Sequence, residues 1–191
     1  PVVVGGRDPV AGASVSAEVV ALPIAPSGAG PDTPAQELPP LPEPRARHAA
    51  VGTAAGLLVV GGVTAEPGRA PAPATDALRL EPGGAWRRIP LPGPRIDGLA
   101  VDLGDRVLVL GGRSATGDEP VHRIDAIAAD GTVRSWTPPV HRRVNELAAA
   151  AAVGDPGGDE RRAWAVDEHG RLFELTAVKA GADVEAEIDA D

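Results

Sequence analysis

Leu57-Leu58-Val59-Val60-Gly61-Gly62 and Val107-Leu108-Val109-Leu110-Gly111-Gly112 are the same phrase written twice, 50 residues apart. Each apolar run has the length of a strand and is too short for a helix, and the paired glycines close it with a sharp turn. Two further markers keep the spacing. Pro42-Glu43-Pro44-Arg45 and Pro92-Gly93-Pro94-Arg95 end 50 apart, and so do Trp86 and Trp136. Three markers on one period make this a repeat protein. A period near 50 with a diglycine after an apolar strand predicts sheets stacked side by side, each unit unable to bury its own faces.

Working outward, the spacing divides the chain into units at 1–45, 46–95, 96–143 and 144–191. The second unit predicts strands at 48–53, 57–60, 76–81 and 85–90, with turns at 54–56 and at Pro82-Gly83-Gly84. The third predicts strands at 98–102, 106–110, 123–129 and 132–137, the last pair joined by the hairpin signal Asp130-Gly131. Each has a long connection after the diglycine, at 63–75 and 113–122. The first unit starts at its second strand, 2–4, closed by Gly5-Gly6, with further strands at 16–22 and 36–38 and an exposed Pro/Gly/Ser-rich stretch at 23–34. The fourth is degenerate: Asp167-Glu168 stand where a diglycine belongs, and strands are expected at 146–153, 161–166, 171–177 and 183–188. Five successive alanines, 148–152, favour helix on propensity, but the repeat phase demands a strand there, and phase decides.

Composition agrees with an all-β chain. The 191 residues include one Phe, three Trp, no Tyr, no Met and no Cys, so burial rests on Val, Leu, Ile and Ala. The 24 Gly and 21 Pro fall at periodic turns, which is order and not low complexity. Net charge is −9 and no basic patch is legible, which argues against nucleic acid as a partner. Zero Cys removes disulfides and thiolate chemistry and leaves the compartment open. No apolar run reaches the ~20 residues of a membrane-spanning helix. Arginine-rich, lysine-poor usage with heavy Ala, Gly and Pro looks like a GC-rich bacterial genome, and a periplasmic, cell-surface or secreted setting is favoured over a cytoplasmic one.

With these residues in place, the chain resembles the kelch-repeat family. The likeness is carried by the apolar strand with Gly-Gly at Gly5-Gly6, Gly61-Gly62 and Gly111-Gly112, by Trp86 and Trp136, by the Pro-x-Pro-Arg junctions, and by His48-Ala49 after the first junction. It covers about residues 1–143 and fades beyond. Leu80 and Ile127 stand where many kelch repeats carry a Tyr. The resemblance implies a β-propeller of four-stranded antiparallel blades, here about four blades of an incomplete ring. The missing first strand of unit one, with Pro1 already inside a strand, makes the chain look like the C-terminal part of a larger propeller. It also implies a protein-binding role, with Trp86 and Trp136 buried at matching positions.

The candidate site residues are the junction arginines Arg45, Arg47, Arg95, Arg142 and Arg143, whose guanidinium groups could meet an acidic partner or pair with the chain's own carboxylates. The diglycines match no phosphate-binding pattern. His48, His122, His141 and His169 lack metal-ligand spacing and read as surface or turn histidines. Asp155, Asp159 and Glu160 form an acidic loop, a hairpin or a calcium candidate, without the EF-hand pattern. Asp130-Gly131-Thr132-Val133-Arg134-Ser135-Trp136 resembles turn motifs of other propellers but reads in phase as a hairpin. No catalytic constellation, metal site or cofactor is expected. The function expected is a scaffold or protein-interaction module, partnered by another protein or by the remaining blades. The alternatives are a fragment of a galactose-oxidase-like or carbohydrate-binding kelch enzyme whose site lies in other blades, and an accessory propeller on a larger catalytic chain.

Overall fold

The computed structural model describes residues 2–7, 15–21, 36–65, 69–116, 119–137, 147–153, 162–167, 172–176 and 187–190. Among these the chain is all-β, without a helix. The first sheet has three strands, β1 (Val2–Arg7), β2 (Val15–Ala21) and β3 (Gln36–Leu38). The second contains β5 (Ala49–Thr53), β6 (Gly56–Val60), β9 (Asp76–Leu80) and β10 (Trp86–Pro90), in that spatial order. The third repeats it with β11 (Leu99–Asp102), β12 (Arg106–Leu110), β13 (Ile124–Ala128) and β14 (Val133–Trp136). The fourth comprises β15 (Leu147–Val153), β16 (Arg162–Asp167), β17 (Leu172–Thr176) and β18 (Glu187–Ala190). All pairings are antiparallel, and the alanine run at 148–152 lies within strand β15.

The sheets stack face to face in chain order, and alternation along the strands shows why. On β6, Leu57 and Val59 join Leu78 and Leu80 of β9 against Val19 of the first sheet. Leu58 and Val60 point the other way, with Ala77 and Ile89, onto Val107, Val109 and Ile127 of the third sheet. On β12, Leu108 and Leu110 face the fourth sheet with Ile124 and Ala126, packing on Ala165. Strands buried on both faces must be apolar at every position, which is the origin of the continuous runs in β6 and β12. First strands of successive sheets lie side by side, β5 beside β11 and β11 beside β15. The described residues form no closed ring.

Two expectations need correction. The connection at 63–75 is partly structured: β7 (Val63–Thr64) pairs with β8 (Ala72–Pro73) and with β4 (Arg45–Ala46), making a small sheet of junction and loop. The third unit answers with bridges from Arg113 to Ile96 and Pro120. In the first unit the strand does not stop at its diglycine; β1 runs on to Arg7, with a bulge between Val4 and Gly6.

The tryptophans are also not equivalent, and both are half-buried. Trp86 opposes Leu80, which opposes Leu57. At the matching place in the third sheet, Val133 opposes Ile127, which opposes Val107. Val133 therefore fills the slot of Trp86, and Trp136, opposite Ile124, fills the slot of Ile89, which opposes Ala77. The cause is length. The first two strands keep the 50-residue offset, while Leu80 to Ile127 is 47, so a fixed 50 count slips the fourth strand by three residues. An odd slip reverses the face. Trp86 packs on the interface with the first sheet, and Trp136 on the interface with the fourth.

Candidate functional site

Each four-stranded sheet has two ends. The junctions, diglycines and long connections gather at one, the junction end. The β5–β6, β9–β10, β11–β12 and β13–β14 turns lie at the other, the turn end.

At the junction end, Arg45 and Arg95 are buried, with 0% and 1% of each residue exposed. Arg45 donates through Nη1 to the Gly61 carbonyl (3.1 Å) and through Nη2 to Asp76 Oδ1 (2.9 Å). Arg95 donates to the Gly111 carbonyl, to the Arg123 carbonyl (2.7 Å) and to Asp125 Oδ2 (2.8 Å). Their backbones bind the unit before: the Arg95 carbonyl accepts from Gly62 N (2.8 Å). That contact requires glycine. Gly61 and Gly62 hold φ of 63° and 89°, Gly111 and Gly112 hold 58° and 82°, and a Cβ on Gly61 would run into the Arg95 carbonyl oxygen. A Cβ on Gly5 would meet the Arg45 carbonyl in the same manner. Each junction arginine thus touches the preceding diglycine with its backbone and grips the following one with its side chain. The repeated Pro-x-Pro-Arg and Gly-Gly are two halves of one clasp.

The carboxylates complete it. Asp125, 0% exposed, also accepts from Arg123 (Nε to Oδ1, 2.6 Å) and from Ser135 Oγ (2.6 Å). Burial pushes its carboxyl up, but bonds from Arg123 and Ser135 and the charge and bond of Arg95 outweigh that and hold it below the ordinary value. Burial lowers the Arg95 guanidinium, opposed by Asp125. Asp76 is shared between Arg45 and Arg88, and Arg88 reaches Glu43 Oε1 (2.5 Å).

Of the sequence candidates, Arg45 and Arg95 therefore adopt the carboxylate-pairing alternative. Arg47 is exposed and pairs with Asp97. The two residues stand 50 apart, at the same place in successive junctions, and both are left-handed, with φ of 58° and 56°. Non-glycine residues in this region are strained, by about 1–3 kcal/mol each. The pair is locked by its ion pair and by Asp97 N donating to the Arg47 carbonyl (2.9 Å). Arg142 and Arg143 lie outside the described residues, as do His141, His169, Asp155, Asp159 and Glu160.

His48, expected to be a surface or turn histidine, is not at the surface. It is half-buried between Gly5 and Gly62, and its Nδ1 is buried without a hydrogen-bond partner. Burial, then the Arg45 charge, lowers its pKa, against the opposing pull of the Val4 and Arg45 backbone carbonyls, which favour the protonated ring. His122 is half-buried too, with a buried, unpartnered Nδ1. Sequence reasoning missed Asp76, Asp125 and Arg79, although Asp76 is the first and Asp125 the second residue of the apolar third strand after the long connection. Among the described residues no group of three His, Cys, Asp or Glu side chains could hold a metal ion. No described helix is long and apolar enough to cross a membrane.

Comparison with protein-family models and with curated proteins finds no match to either.

Proposed function

We propose that the chain is a non-catalytic interaction module of kelch-like β-propeller type, serving in a bacterial assembly, with its junction end as the partner-binding surface. The observation that carries the reading is the clasp. It repeats between units, ties each junction to two diglycines, and leaves the hairpin of β7 and β8 and the Arg113–Pro120 bridge as unlike loops on a common rigid base. Loops of differing content on a repeated scaffold are where recognition is built. The side-by-side first strands support a propeller-type arrangement. Arg47, its guanidinium at the surface and already bonded to a carboxylate, is suited to exchange Asp97 for an acidic group of a partner.

The test is co-purification of the full-length protein from its own source, followed by Arg47→Ala and by replacement of residues 65–71 with a short Gly-Ser turn. Either change should release the partner while the unfolding midpoint stays within a few degrees. Retention of the partner by both, with release on changing the edge strand β10, would replace this reading with β-strand addition.

A further inference from the structure

The long connections after the two diglycines differ in content, yet each brings a proline to the same place. In the second unit Ala46, Val63 and Pro73 lie abreast. In the third, Ile96, Arg113 and Pro120 do. Pro73 and Pro120 are 47 residues apart, the offset that separates Leu80 from Ile127. Each unit therefore sets a proline on the outer side of its junction pairing.

The hydrogen bonds fix which way these prolines face. Arg113 N and the Arg113 carbonyl both bond to Ile96 (2.7 and 3.0 Å), so neither turns toward Pro120. The bonds across the outer pair come on either side of it, from Val121 N to the Gly112 carbonyl (2.8 Å) and from Ser114 N to the Glu119 carbonyl (2.8 Å). In the second unit Ala74 N donates to the Gly62 carbonyl (2.9 Å) in the same way. Bonded and unbonded pairs alternate along an antiparallel ladder, so Pro73 and Pro120 stand at unbonded pairs, with ring nitrogen and carbonyl directed outward. Pro71 precedes Pro73 by two residues, the period of an extended strand.

Such an edge offers acceptors where an incoming strand needs donors, because proline has no N–H. Blocking the edge is one use of proline, and one proline suffices for a strand of two residues. The second unit goes further. Arg69-Ala70-Pro71-Ala72-Pro73 places a proline after each alanine, and a residue before proline is held extended. Ala70, Pro71 and Ala72 are exposed and Pro73 is half-buried. Outward carbonyls call for donors, and exposed pyrrolidine rings call for flat apolar groups. Tryptophan and tyrosine supply both in one side chain.

We infer that the junction end is read by a partner groove lined with tryptophan or tyrosine, whose rings pack on Pro71 and Pro73 and whose N–H or O–H donates to the Pro73 carbonyl, with Pro120 as a second contact. A stiff extended proline segment gives up little conformational entropy on docking, the basis on which aromatic grooves take such segments. Such a partner presupposes the junction end as the binding surface proposed above.

The experiment uses the full-length protein and the partner co-purified from its own source. Pro71→Ala and Pro73→Ala together should weaken partner binding about tenfold or more, as loss of central contacts implies. The unfolding midpoint should stay within a few degrees, since neither nitrogen carries a ladder bond. Adding Pro120→Ala should weaken binding further. A peptide of residues 69–75 contains no aromatic residue, so titrating the eluted partner with it reads the partner's own tryptophan or tyrosine fluorescence. A saturable change is expected, and none with both prolines of the peptide replaced by alanine. If replacing residues 65–71 releases the partner and the proline variants keep it, the aromatic groove is wrong and the junction-end reading stands. The groove is equally refuted if the variants self-associate while keeping the partner, which limits the prolines to protecting the edge, or if the native peptide leaves the partner's fluorescence unchanged. If Arg47→Ala and the loop replacement both leave the partner bound, the junction-end reading fails and the groove with it.

Discussion

Replacing Arg95 by Met removes the clasp while keeping most of its apolar stem. Three hydrogen bonds go, to the Gly111 carbonyl, the Arg123 carbonyl and Asp125. Breaking a buried ion pair from one side costs about 3–5 kcal/mol. Arg123 and Ser135 still hold Asp125, which draws that component to its lower end. The two abandoned carbonyls push the other way, at about 1–3 kcal/mol for a buried unsatisfied group. The expected loss is about 3–5 kcal/mol. Arg47→Ala is the control: its ion pair is roughly half exposed on both sides, with side-chain exposures of 52% and 45%, and such pairs contribute about 0–1 kcal/mol. Urea unfolding followed by tryptophan fluorescence gives both numbers. Adding Asp125→Asn to Arg95→Met should recover only part of the loss, because the carbonyls remain unbonded. If Arg95→Met cost no more than Arg47→Ala, the clasp would not hold the sheets, and Arg95 would return to the set of partner-binding arginines.

Three further outcomes are expected. The folded-state pKa of His48 is depressed, so its contribution is intact above the ordinary histidine value of 6.5 and declines as pH falls below it; unfolding midpoints should drop across that window in the native protein and stay flatter in His48→Gln, and equal slopes would refute the burial argument. Gly61→Ala should cost roughly 2 kcal/mol or more, since strain at positive φ adds to the collision with the Arg95 carbonyl, whereas Gly83→Ala, with open space around it, should be near neutral in the same denaturation assay. Trp86→Ala should cost about 1.5–3 kcal/mol, below the fully buried range, because the side chain is half-buried and bonded to the Pro39 carbonyl (3.1 Å); a change under about 0.5 kcal/mol would mean that it does not seal the first interface.

Strand positions were legible because glycine turns and apolar runs are local signals. The alanine run in β15 shows the stronger principle: repeat phase outranked helix propensity, because a neighbouring strand decides what the alanines do. The same trust in phase misplaced Trp136. A count of 50 cannot register that the distance from Leu80 to Ile127 is 47, and a slip of three turns a side chain to the opposite sheet. The arginines were found and their company was not. That Arg45 meets Asp76 and Arg95 meets Asp125 depends on separations of 31 and 30 residues across a folded connection, which carries no periodic mark. The β7–β8 hairpin was hidden for a related reason. Its partner strand is the junction itself, a two-residue segment that no periodicity could reveal.

The stacking also determines where chemistry can reside. Both faces of the second and third sheets are covered by neighbours, so their face-directed side chains serve packing. Their outer edges, β10 and β14, carry Arg87, Arg88 and Arg134, charges that discourage pairing with a stray strand. Function is thereby directed to the two ends, and these differ in one physical respect. At the junction end every described buried guanidinium is answered by a buried carboxylate, so the charge is internal and the surface is shaped by loops. At the turn end the Arg79 guanidinium donates to the Ala128 and Ala129 carbonyls, and the Glu81 and Asp130 carboxylates act on it through space. A scaffold whose buried charge is answered internally leaves recognition at the junction end to the unlike loops that the clasp carries.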